Sequence, residues 1–331
     1  MTGVQTCALP ISEHKIAKEL KRKIALFCNV APEAVIEARD ASSIYEVPLL
    51  MDKEKLDEVV LKKLGVNETT SHNLDAWREF INRLNHPKNE IKIGLVGKYV
   101  ELKDSYKSIS EAFIHAGAQK ECKVKLEWIH SESLTEEVIG EKFKGLKGIL
   151  VAPGFGNRGI EGKILAIKYA RENQIPFLGI CLGMQCAVIE FARNVIGLSD
   201  AHSREMNPAT SNPVIDILET QKSIVNMGGT MRLGAYACRL EEGTIARTVY
   251  GKSEIMERHR HRYEFNNEYK SKFTNAGMIL SGMNPVADLV EIIELPNHPW
   301  FVGVQFHPEY KSTVTKPHPL FLGFVEAAMK R

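Results

Sequence analysis

From Ile91 onward, short apolar runs alternate with stretches in which apolar residues recur every three or four positions. That rhythm predicts strand 91–96, helix 105–116, strand 123–129, helix 134–142, strand 146–151, helix 160–172, strand 175–180 and helix 182–193. Strands alternating with helices imply an α/β fold with a mostly parallel central sheet flanked by helices. From Thr220 the pattern reads as more antiparallel. Ahead of this region, 23–30 reads as a strand, and 69–73 is turn-rich. Leu74, Trp77, Phe80, Ile81 and Leu84 recur at helical spacing and predict a short bridging helix.

Candidate chemistry gathers where the predicted strands end, the usual place for a site in such a sheet. The apolar run 175–180 meets Cys181, with Gly179 and Gly183 two residues to either side, and an amphipathic pattern follows over 182–193. Strand, sharp turn and helix with a nucleophile at the turn is the logic of a nucleophile elbow. The helix aims backbone N–H groups and its positive end at the sulfur, favouring thiolate. The other five cysteines read as structural. Far downstream, an apolar strand ends in His307-Pro308-Glu309. Residues i and i+2 of a strand share a face, so His307 as base and Glu309 as its orienting acid complete a Cys-His-Glu triad.

The predicted strand 146–151 runs into Ala152-Pro153-Gly154-Phe155-Gly156-Asn157-Arg158-Gly159. Residues 154–159 formally match a dinucleotide fingerprint, but no companion acid follows a later strand. The loop reads better as an oxyanion hole, with the N–H groups of Gly154 and Leu182 as donors. Pro153 has no N–H, so that duty falls to Gly154.

Composition narrows the classes. The 331 residues are 44% hydrophobic and 25% charged, with a formal charge of +2, ordinary for a soluble globular chain. That charge gives no case for nucleic acid or membrane, and the Arg258-His-Arg-His-Arg262 block is too small a footprint for nucleic acid. No apolar run approaches the ~20 residues of a membrane span. Six cysteines without framework spacing point to a reducing cytoplasm. No Cys/His spacing suggests a metal site, and no G-x-x-x-x-G-K-[ST] phosphate loop occurs.

The elbow, the His-Pro-Glu strand end and the glycine loop, in this order, resemble the class I glutamine amidotransferases. Gly94-Leu-Val-Gly-Lys-Tyr-Val-Glu101, Gly228-Gly-Thr-Met-Arg-Leu-Gly234, Glu257-Arg-His-Arg-His-Arg-Tyr-Glu264 and Asn297-His-Pro-Trp-Phe301 narrow the resemblance to the CTP synthase branch. The likeness runs from about residue 20 to the C-terminus. It implies the class I amidotransferase fold and hydrolysis of L-glutamine through a cysteinyl thioester. The ammonia would pass to a synthase domain that aminates UTP to CTP with ATP and Mg, with GTP as activator and a homo-oligomeric enzyme. By the same resemblance, Gly154, Gln185, Glu205 and Arg260 bind glutamine, Glu205 meeting its ammonium and Arg260 its carboxylate. Phe155, Thr230 and Arg232 map to GTP-responsive elements. The usual Pro-Gly-Gly-Phe-Gly loop is here Ala-Pro-Gly-Phe-Gly, so the activity also tests whether the family's oxyanion donor is the residue matching position 153.

The expected organisation is a leader over 1–12, the end of the synthase domain over 13–66, a linker with a short helix over 67–90 and the amidotransferase domain over 91–331. Residues 1–11 resemble the translation of a common sequencing adapter, so the leader is expected to be foreign. Such a chain would retain at most the glutaminase half-reaction. A free-standing γ-glutamyl cysteine hydrolase and a non-catalytic synthase-binding fragment are the alternative readings.

Overall fold

The computed structural model describes residues 7–66, 73–217 and 231–331. The chain divides into two units, Met1–Asn85 and His86–Arg331.

In the first unit, strand β1 (Ile11–Ser12) pairs in parallel with β2 (Ala38–Arg39), and Ala8 bridges to Val35. Part of the expected leader thus belongs to this small sheet. Residues 23–30, read as a strand, instead lie largely in the helix Lys18–Cys28. The helix formers Lys18, Glu19, Leu20, Lys21 and Arg22 start it, and Asn29, in the left-handed region at φ 52°, ends it. The apolar run that suggested a strand is too short for periodicity to separate the two forms. The helix at Leu74 appears as Asp75–Asn85, with Phe80 packed edge-on against Tyr45 at a centroid distance of 5.0 Å.

The second unit is built on nine strands. In chain order they are β3 (Asn89–Gly97), β4 (Cys122–His130), β5 (Gly148–Val151), β6 (Phe177–Ile180), β9 (Arg232–Leu240), β10 (Glu254–His261), β12 (Ile279–Met283), β13 (Val290–Glu294) and β14 (Phe301–Val304). Their spatial order is β10-β9-β12-β13-β14-β6-β5-β3-β4. The half from β4 to β14 is parallel, and the extension from β13 to β10 is antiparallel. β7 (His202–Ser203), β8 (Pro213–Ile217) and β11 (Tyr263–Phe265) form a separate small sheet.

Alternation along the strands splits the core into two layers. Ile149, Val151, Phe177 and Phe301 pack with the helices Ile160–Glu172 and Leu182–Phe191. Leu150, Leu178, Val302 and Val304 face Phe113 of helix Lys107–Gln119 and Phe321 and Phe324 of helix Pro319–Lys330. The helix after the elbow departs from the amphipathic expectation: all ten residues of Leu182–Phe191 are buried. It is packed on several sides, against the large sheet, helix Ile160–Glu172 and the small sheet, so it has no solvent face to mark with polar residues.

Candidate active site at the carboxyl edge of the sheet

Cys181 sits where β6 ends and helix Leu182–Phe191 begins, with φ 52° and ψ −104°. A non-glycine residue in that region stores strain, and the neighbours hold it there. Its N–H donates to the Val304 carbonyl of β14 at 2.7 Å, and its carbonyl accepts from Gln185 N–H at 3.1 Å. The flanking glycines are required by close approach. A Cβ on Gly179 would lie 2.8 Å from the Gly183 carbonyl carbon, and one on Gly183 would lie 2.2 Å from the Val151 oxygen. Gly183→Ala is therefore expected to push the helix start off β5, at a cost of about 1–3 kcal/mol, with loss of activity. Thermal melting and an ammonia assay check this; an unchanged melting point and rate would show that the turn tolerates a side chain.

His307 and Glu309 meet, though not through strand alternation. β14 stops at Val304, and Pro308–Lys311 forms a 3-10 turn that folds Glu309 back onto the histidine. Nδ1 of His307 lies 2.8 Å from Glu309 Oε1, and both residues are buried. The Tyr310 ring stacks on the imidazole at 5.1 Å. With Nδ1 committed to the carboxylate, Nε2 makes no hydrogen bond among the described residues and remains for the sulfur. Burial opposes the imidazolium, but the Cys181 sulfur and the Glu309 carboxylate outweigh it and push the His307 pKa up to about 11. The imidazolium so held is placed to assist a nucleophilic sulfur. The thiol of Cys186, in the same helix, is instead pushed up to about 11 by burial and is held neutral.

The loop after β5 lies over the start of the same helix. A Cβ on Gly154 would meet the Leu182 side chain at 3.5 Å. Leu182 is the first residue of its helix, and Cys181 gives no side-chain cap, so the first-turn N–H groups lack the usual capping partner. Two lysines that the sequence reading passed over hold the loop. The amine of Lys163, completely buried, donates to the Ala152 carbonyl at 2.7 Å, and Lys98 donates to the carbonyl of Phe155 and, at 3.4 Å, to that of Gly156. Burial lowers the Lys163 pKa to about 8. Lys98 lies in the segment 94–101 quoted above, but nothing there marks it as holding the loop, and Lys163 stands in no motif.

Glu205 accepts from the Gly156 N–H at 3.4 Å. Burial raises its carboxyl pKa against the pull of that hydrogen bond and of the nearby charges of Arg262 and Lys98. Cys181, His307 and Glu309, the Gly154 loop and Glu205 thus surround one corner of the sheet.

The model for "Glutamine amidotransferase class-I" matches residues 101–327. This chain belongs to the class-I glutamine amidotransferase family. A second model, "CTP synthase N-terminus", matches residues 2–66. The chain is 60% identical over 317 residues to the CTP synthase of Cytophaga hutchinsonii, covering 96% of this chain and 59% of that protein. It is 53% identical over 331 residues to the CTP synthase of Bacteroides thetaiotaomicron, covering 99% of this chain and 62% of that protein. It therefore spans about three-fifths of the length of these curated relatives. Among solved structures, the glutaminase domain of Trypanosoma brucei CTPS with bound acivicin superposes with a TM-score of 0.69 at 38% identity, over 73% of this chain and 94% of that one.

Within this amidotransferase domain the other expected positions distribute unevenly. The amide nitrogen of Gln185 donates to the Tyr263 carbonyl at 2.9 Å and to Gln305 Oε1 at 3.2 Å, one helical turn from the nucleophile. Arg260 is not among the charges that act on Glu205. It lies on the exposed face of β10, whose buried face carries His259 and His261, and the arginine whose charge acts on Glu205 is Arg262. Three alternating arginines in one block look alike in sequence; only the end of β10 at His261, just before Arg262, separates them. Phe155 is half-exposed at the loop tip. Arg232 is buried, its guanidinium held by Glu264 at 3.0 Å and Glu291 at 2.8 Å. Thr230 lies outside the described residues. Among the described residues no group of three or more His, Cys, Asp or Glu side chains could hold a metal, and no helix is long and apolar enough to cross a membrane.

Proposed function

We propose that this chain hydrolyses L-glutamine and serves as the ammonia-producing part of a CTP synthase. The observation that carries the reading is the strained Cys181 at a helix start beside a His307 already committed to Glu309. In this mechanism the Cys181 thiolate attacks the side-chain amide carbon of glutamine. The resulting oxyanion is met by the N–H groups of Gly154 and Leu182. His307 passes its proton to the departing nitrogen, ammonia leaves, and a γ-glutamyl thioester remains. His307 then takes a proton from water, whose attack releases glutamate and restores the thiolate.

Glu205 receives the substrate ammonium, and Arg262, rather than Arg260, receives its carboxylate. Arg262→Met is then expected to raise KM for glutamine by about 10- to 100-fold, the cost of a charged hydrogen bond, while Arg260→Met stays near wild type. Steady-state kinetics on both variants decide it; the reverse order would return the role to Arg260.

The ammonia would be used in the ATP- and Mg-dependent amination of UTP by a synthase domain, in a homo-oligomeric cytoplasmic enzyme activated by GTP. The support is the likeness to CTP synthases along nearly the whole chain. In this reading Phe155 faces the activator, while Arg232 acts from inside through its two carboxylates. The test of the function is ammonia release from glutamine by the purified chain, with γ-glutamyl peptides as competing substrates and GTP added in a parallel series. Preference for γ-glutamyl peptides over glutamine would overturn it.

A further inference from the structure

Gln305 was assigned no role by its motif, yet it touches the nucleophile. Its side chain is fully buried, and Nε2 lies 3.7 Å from Cys181 Sγ, within hydrogen-bonding reach of sulfur. The backbone fixes both residues. β14 runs parallel to β6 with Val304 opposite Ile180, so Gln305 and Cys181 are the next residues along. The Gln305 N–H is held by the Glu291 carbonyl at 2.9 Å.

The direction of the amide is dictated from outside. The Tyr263 carbonyl can only accept, so Gln185 must present its NH2 group there, at 2.9 Å. The same NH2 donates to an oxygen of Gln305 at 3.2 Å. Gln305 must therefore turn its oxygen toward Gln185 and its nitrogen toward the sulfur. A reversed Gln305 would set two NH2 groups against each other and put a lone pair on the thiolate.

We infer that Gln305 is a catalytic residue of the glutaminase site, donating a hydrogen bond from Nε2 to the Cys181 thiolate through an amide chain oriented by the Tyr263 carbonyl. A hydrogen bond to the charged form favours that form, so the donor raises the thiolate fraction and fixes the direction of attack. The chain also ties the sulfur to the segment that carries Arg262. The role in turnover rests on the proposed glutaminase reaction; the bond to sulfur does not.

The experiment is the pH dependence of Cys181 alkylation by iodoacetamide, with the rate of the Cys181→Ala protein subtracted to remove the other cysteines. Wild type is compared with Gln305→Met, which keeps the volume and removes the donor, and with Gln305→Glu, which keeps the shape and places an acceptor on the sulfur. His307 and Lys163, two charged groups that interact with Cys181, are unchanged in both. Gln305→Met should shift the apparent thiol pKa up by about one unit, a tenfold loss of thiolate below it, and Gln305→Glu should shift it further. The kcat for glutamine should fall by about the same tenfold in Gln305→Met, with KM little changed. If Gln305→Met is poorly folded, Gln305→Glu carries the same test. Profiles that superimpose on wild type overturn the inference. Absence of glutamine hydrolysis by wild type would instead sink the proposed function and leave the alkylation result standing.

Discussion

Cys181→Ala is expected to lower ammonia release from glutamine by about 10⁴-fold or more while leaving the fold intact. The size follows from what is removed. Without the sulfur there is no thioester, and the oxyanion donors and His307 have nothing to assist. The fold survives because Cβ and the strained backbone remain, and Cys181 N–H still donates to Val304. Cys186→Ala, in the same buried helix, removes a thiol held neutral by burial and should turn over near the wild-type rate. Ammonia assays on the two variants give the contrast, and equal losses would place the effect in packing. His307 offers an independent readout. Its pKa is raised by the sulfur and by Glu309, so in Cys181→Ala the imidazole should titrate at lower pH than in wild type, as seen by NMR of the ring protons.

The second large effect is at His307. His307→Ala should cost a similar factor, about 10⁴-fold in kcat, because the same nitrogen must serve the leaving ammonia and the incoming water. Glu309→Gln should cost less, about 10²- to 10³-fold. Its amide can still hold Nδ1 through the side-chain oxygen but no longer supplies the charge that favours the imidazolium. Matched assays in which Glu309→Gln is the more damaging would reverse the roles. A rise in KM alone in either variant would also contradict them, since neither residue is assigned to binding.

In the parallel half, β5 and β6 were legible as short apolar runs buried on both faces, each followed by a helix; β4 alternates instead, and the expected helix 134–142 is only Ile139–Lys142. Helix 160–172 was read with the bounds it has in the structure. The elbow was legible for a steric reason, since two glycines two residues either side of a cysteine are what close approach to Val151 and Gly183 demands. Other features were not legible. The helix at Lys18–Cys28 carries an apolar run that fits a strand equally well. The contact between His307 and Glu309 depends on a 3-10 turn after the strand has ended, which alternation along a strand does not describe. The burial of Arg232 between Glu264 and Glu291 joins residues far apart in the chain, and a single sequence does not announce such a pairing. The same holds for Lys163 and Gln305, whose contacts with Ala152 and Cys181 arise only when neighbouring elements are brought side by side.

The central claim is that Cys181 is the nucleophile for a glutamine side chain. The most direct measurement is mass spectrometry of the protein after incubation with an electrophilic glutamine analogue carrying a γ-diazo ketone. A single adduct on the peptide containing Cys181, blocked by excess glutamine and absent from Cys181→Ala, is the predicted result. An adduct on another cysteine, or none at Cys181 while ammonia release is lost, would contradict it.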